Sequence, residues 1–123
     1  MAAPNLISAT VINGKTAGIS LTTNTATSVL SNAASSGKCL KINTLNVANY
    51  STNVATITIN WYSVASIGGT GVPIVFNVLV PANSTLNVID KSSQYYLEEN
   101  SSIGALAGTA STLAVTCSYE DIS

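Results

Sequence analysis

Residues 54–62, VATITINWY, alternate strictly: Ala55, Ile57, Ile59 and Trp61 on one parity, Val54, Thr56, Thr58, Asn60 and Tyr62 on the other. A period of two places successive side chains on opposite faces, which is the pattern of a half-buried strand. The stretch TLAVTCSYE repeats it, with Leu113, Val115, Cys117 and Tyr119 inward and Thr116, Ser118 and Glu120 outward. In VPIVFNVLV the inward set is Ile74, Phe76, Val78 and Val80; Val75 and Leu79 are apolar too, so this strand reads as covered on both faces. In KCLKINTLNVANY, Leu40 and Ile42 share one parity and Leu45 and Val47 the other. That switch predicts a β-bulge near Asn43 and Thr44, or two short strands with a kink.

Shorter strand candidates are LISATVI, AGISLTT, ATSVL, TLNVI, IGALA and QYYLEE. The punctuation agrees: NGK at 13–15 is a tight-turn signal, IGGTGVP a hairpin loop, and VPANST and KSSQ are turns, while SNAASSGK reads as an exposed loop. About nine strands at spacings of about 8 to 12 residues predict an all-β chain, an antiparallel β-sandwich for which a jelly roll is one arrangement. Residues 1–123 form one domain, long enough to bury roughly 65% of its unfolded surface without a staple. Residues 1–5, MAAPN, are a candidate N-terminal arm.

Polarity comes almost entirely from neutral side chains. Only 7% of residues are charged, against 17 Ser, 15 Thr and 13 Asn. A surface so poor in charge favours association, and a chain built for an assembly is the first expectation, with a secreted Ser/Thr-rich β-domain the other. The four lysines are scattered and there is no Arg, so a phosphate-neutralising face for nucleic acid is not expected. The opening residues lack the basic and apolar regions of a secretory signal, and no run long enough to span a membrane exists. Cys39 and Cys117 read as free thiols, because Cys117 lies on the apolar parity of its strand and Cys39 shares parity with Lys41.

Catalysis finds little support. The sequence has no His, which removes the commonest general base and zinc ligand and excludes a Ser-His-Asp triad. Glu98 and Glu99 are neighbours and point to opposite faces of a strand, so they do not flank a shared substrate. No catalytic, cofactor-binding or metal-binding residue is expected, and Glu120 and Asp121 read as solvated strand-end charges. The densest chemistry is DKSSQYYLEE at 90–99, which holds four of the nine charged residues and two tyrosines. Its charges read as hairpin ends, and Tyr95 and Tyr96 as one core and one surface residue. Trp61 belongs with the core and Tyr62 with the surface. The candidate subunit or ligand contacts are therefore Tyr62, Tyr95, Tyr96, Glu98 and Glu99.

The order VLVPANSTLNVIDKSSQYYLEENSSIGALAGTASTLAVTCSYEDIS, with the opening NLI..T.I.GKTA, resembles small virion structural proteins of tailed bacteriophages, particularly those of cyanobacterial and marine myoviruses. The resemblance implies a non-enzymatic role in the virion, as a capsid decoration (cement) protein or as a neck, tail or baseplate component. It implies assembly in the host cytoplasm and a major capsid or other virion protein as partner. A homo-oligomer is expected, a trimer first. A glycan- or receptor-binding adhesion module is the alternative. One departure stands out: relatives carry Gly-Asp after YLEE, where this chain has Asn100 and Ser101.

Overall fold

The computed structural model describes residues 9–68 and 70–123; the candidate arm at 1–5 lies outside them. Among the described residues nine strands follow in order: β1 (Ile12–Leu21), β2 (Thr27–Asn32), β3 (Cys39–Asn49), β4 (Ala55–Tyr62), β5 (Gly71–Val80), β6 (Thr85–Ile89), β7 (Tyr95–Leu97), β8 (Ser101–Ala107) and β9 (Leu113–Ile122). They form two antiparallel sheets. One runs β1-β9-β3-β6, with β7 also on β3; the other runs β2-β8-β4-β5. The chain passes from sheet to sheet at β1/β2, β2/β3, β3/β4, β5/β6, β7/β8 and β8/β9, which is the double Greek key of a jelly roll. The core between the sheets is aliphatic, with Leu21, Ile42, Leu45, Ile57, Ile59, Ile89, Leu97, Ile103 and Leu113 all essentially inaccessible.

The parity switch in β3 is a bulge. Ile42 pairs with Tyr119 and Thr44 with Ser118, leaving Asn43 unpaired, so Leu40, Ile42, Leu45 and Val47 are all buried. At the same point β3 changes its other neighbour, from β7 at Leu40–Ile42 to β6 at Leu45–Ala48.

Four expectations need correction. NGK is not a turn: β1 runs straight through it, because β9 offers an unbroken ten-residue register from Ile12↔Ile122 to Leu21↔Leu113. Phe76 is 67% exposed and Leu79 62%, so β5 is not covered on both faces. It is an edge strand whose register with β4 shifts twice. At the second irregularity Asn77 takes a left-handed φ of 48° and exchanges hydrogen bonds with Thr58 Oγ1 at 3.0 and 3.2 Å, which turns Phe76 outward.

Third, Tyr62 is buried (5% exposed) and Trp61 only half-buried. The loop after β4 folds back over Tyr62 and is tied down by Ser102 Oγ donating to the Val64 carbonyl (2.8 Å) and Ala65 N–H donating to Asn100 Oδ1 (2.9 Å). Two glycines make room for the ring: a Cβ at Gly71 would lie 2.8 Å from Tyr62 Cε1, and one at Gly104 would lie 3.1 Å from Cε2. Fourth, Tyr95 and Tyr96 are both exposed, since only Leu97 of this three-residue strand reaches the core.

Two buried asparagines fasten the sheets to each other. Asn49, on β3, donates through Nδ2 to the carbonyls of Asn53 (2.8 Å) and of Val80 on β5 (2.9 Å). Asn32, on β2, donates to the carbonyls of Lys38 (2.8 Å) and of Leu97 on β7 (3.0 Å). Each side chain meets one backbone acceptor in the interior, Val80 for Asn49 and Leu97 for Asn32.

Candidate functional site

Charge gathers at one lateral edge. Strand β9 ends between β1 and β3, so Glu120 and Asp121 project to opposite faces beside lysines from both neighbours. Asp121 is buried, not solvated as its position near the chain end suggests. Lys15 Nζ lies 3.0 Å and Lys38 Nζ 3.3 Å from its Oδ2. Burial on its own raises the pKa of this carboxyl. The hydrogen bonds and charges of Lys15 and Lys38 outweigh that effect and hold it below the usual carboxylate range. The Lys15 pKa is raised in turn, chiefly by the hydrogen bond to Asp121. On the other face Lys41 Nζ is 3.6 Å from Glu120 Oε2, which also accepts from Asn43 Nδ2 (3.2 Å) at the bulge.

A cleft of about 320 Å³ opens beside Asp121, between the edge strands β1 and β2 and the loop that follows β2. Its charged wall is Lys15, Lys38 and Asp121; Leu30 and Leu40 give it an apolar floor. The loop is held from two sides. Ser36 Oγ donates to Asn32 Oδ1 (2.5 Å), and the N–H of Gly37, at φ 71°, donates to Glu99 Oε2 (3.0 Å).

The dense segment at 90–99 is therefore not one site. Asp90 Oδ1 accepts from Ser92 N–H (2.9 Å), Ser92 Oγ (2.6 Å) and Ser93 Oγ (3.2 Å), closing the β6–β7 turn, and the Ser92 bonds lower its pKa. Glu99 braces the loop of the cleft. Glu98 is exposed, and its carbonyl accepts from Ser101 Oγ (2.7 Å). Asn100 stands where the family resemblance expects glycine and has φ 59°, a conformation that Asn tolerates better than most residues. Of the five candidate contacts, Tyr95, Tyr96 and Glu98 are exposed, Glu99 is half-buried, and Tyr62 is beneath a loop. The sequence reading missed the Lys15–Asp121–Lys38 triad, whose members are 106 and 83 residues apart along the chain.

The other lateral edge has a strand without charge. Strand β5 carries no charged residue and exposes Val72 (54%), Phe76 and Leu79, with Val54 (56%) just before β4. Both thiols lie inside: Cys117 is 1% exposed, and burial pushes its pKa up to about 11. Cys39 is 6% exposed, with its pKa raised by burial first and by the charge of Glu98 second. Neither forms a disulfide.

No family model matches the sequence, and no curated protein matches it significantly. Among solved structures the fold is similar to that of a subunit of Bacillus endospore appendages, described as a family of disulfide-linked pili. The TM-score is 0.53 at 14% identity, over 90% of this chain and 85% of that one. A cyanophage Pam1 capsid asymmetric unit aligns at 14% identity over 99% of this chain and 91% of that one, with TM-score 0.37. Infectious bursal disease virus, Gx strain, aligns at 11% identity over 89% of this chain and 40% of that one, with TM-score 0.27. The last two scores are too low to carry an argument about this chain. The first supports a shared fold alone.

Proposed function

We propose that this protein is a non-enzymatic structural subunit of a virus particle, a capsid decoration (cement) protein in the first place and a neck, tail or baseplate component in the second. The observation that carries the reading is edge strand β5, which is uncharged along its whole length and exposes Val72, Phe76 and Leu79. An exposed apolar edge normally carries charges that discourage pairing; here Pro73 and the two register shifts limit strand addition, while the apolar side chains stay available for a side-on contact. The sequence resemblance and the sparse charge point the same way. So does the fold, since jelly rolls recur in viral capsids and the Bacillus subunits of similar fold form pili. The partner is a second copy of the chain and a major virion protein, in a closed ring for which a trimer is the first choice. Exposed Tyr95, Tyr96 and Glu98 are the outer contacts.

Native mass spectrometry and sedimentation of the purified chain test this, followed by cosedimentation with particles lacking it. A closed oligomer or saturable particle binding is expected. Phe76→Asp should abolish it with thermal unfolding unchanged. A monomer that binds no particle sinks the proposal. The neighbouring exposed tyrosines favour one second reading, a glycan-binding module on the virion, which silence on a glycan array removes.

A further inference from the structure

The cleft beside Asp121 carries an inference independent of the virion reading. Two ammonium groups share one buried carboxylate oxygen, so the lining side chains hold a net charge of +1. Neutralising Asp121 needs only one of them. Lys15 and Lys38 are each 46% exposed, and each ammonium has three donors of which Asp121 takes one. Two donors on each remain for a ligand or water. Tyr119 also lines the cleft, and Leu30 and Leu40 form its floor. In a chain with four lysines, spending two on one wall of a cleft is a concentration of charge that the fold does not require.

We propose that this cleft binds a small hydroxylated carboxylate, of the hexuronic acid class. Its carboxylate bridges Lys15 and Lys38 opposite Asp121, a hydroxyl meets Tyr119, and the apolar face of its ring lies on Leu30 and Leu40. One monoanion cancels the excess charge, and a cleft of about 320 Å³ is at the small end of ligand pockets.

The test is a titration of the full chain with glucuronate, glucose and inorganic phosphate, followed by amide chemical shifts. Glucuronate should saturate shifts at Lys15, Lys38 and Tyr119 and weaken with added salt. Lys38→Met keeps the Lys15–Asp121 pair, hence the fold, and should weaken glucuronate about tenfold or more; Lys91→Met should leave it unchanged. Asp121→Asn gives the sharpest readout. It removes the internal competitor and raises the lining charge to +2, so it should tighten glucuronate. Overturning results are weaker binding in Asp121→Asn, equal shifts from glucose, equal affinity for phosphate, or no saturation by glucuronate.

Discussion

Replacing Asn49 by Ala removes one of the two neutral clasps between the sheets, and its cost can be worked from the contacts. Asn49 is 3% exposed, and the residue whose carbonyl it meets across the sandwich, Val80, is fully buried. The Val80 carbonyl loses its side-chain donor, at about 1–3 kcal/mol for a stranded buried acceptor. The Asn53 carbonyl keeps a partner, because Ser51 Oγ donates to it at 2.9 Å, so that loss is closer to about 0.5 kcal/mol. The single Ser51 Oγ hydrogen, within reach of both Asn49 Oδ1 (2.7 Å) and the Asn53 carbonyl, goes to Asn53 alone in the variant, and the Ser51 N–H, 2.9 Å from Asn49 Oδ1, turns to water at little cost. The small void adds up to about 1 kcal/mol, for a total near 3 kcal/mol. With a urea slope of about 1.5–2 kcal/mol/M, the unfolding midpoint should fall by about 1.5–2 M. Asn24→Ala, on an exposed loop, should stay within about 0.5 kcal/mol of the parent. Asn49→Asp sharpens the test. A carboxylate cannot donate to either carbonyl, so its folded pKa is raised above the unfolded value of about 3.9. The variant is then least impaired below that pH, and its deficit grows as pH rises through the folded pKa. A cost for Asn49→Ala below about 1 kcal/mol, or a pH-independent Asn49→Asp, would refute the clasp.

Asp121 should make the protein acid-sensitive: its folded pKa is depressed, so its contribution is present above about pH 4 and lost as pH falls through the folded pKa. Melting temperatures from pH 7 to 2 should fall less steeply in Asp121→Asn, and parallel curves would contradict this. Native thiols should resist a disulfide reagent at pH 8, since Cys117 ionises only near 11, and should react at the unfolding rate; rapid stoichiometric labelling would count against their burial. Tyr62→Ala should lose about 3 kcal/mol in urea titration, whereas Tyr96→Ala should lose less than about 0.5 kcal/mol, and similar costs would show that Tyr62 is not held beneath its loop.

Legibility followed the range of the physical cause. Val115 and Cys117, or Leu45 and Val47, declare their face by local alternation, and even the bulge at Asn43 shows as a change of parity. Strand β5 defeats that logic because Ile74, Val75 and Phe76 are apolar on both parities; what decides the matter is Asn77 at φ 48°, held by Thr58 nineteen positions away. Tyr62 was misread because its cover is a loop that folds back onto Asn100 and Ser102. The NGK signal yielded to a strand partner about a hundred residues distant. Asn32 and Asn49 look like any of the 13 asparagines until their carbonyl acceptors are located. The charges were legible as a cluster at 90–99 but not as a site, because the groups that meet are Lys15, Lys38 and Asp121.

The division between neutral and charged devices has a functional consequence. The polar links between the sheets are amides, which are insensitive to salt and avoid the desolvation cost of a buried ion pair. Charge is then free to be concentrated, and it is concentrated at the β1–β2 edge, away from the uncharged β5 edge at the other end of its sheet. Asn32 links the two roles. It fastens β2 to Leu97 of β7, and it also lines the cleft and receives Ser36 from the loop that forms the cleft wall. The same clasp that holds the sandwich closed therefore fixes the rim on which Lys38 stands. Loosening it should blur the spacing of the two ammonium groups before it exposes the core, so Asn32→Ala should weaken glucuronate in the titration above at temperatures where the fold, followed by circular dichroism, is still intact. Binding unchanged in a folded Asn32→Ala would mean that the lysines find their positions without the clasp.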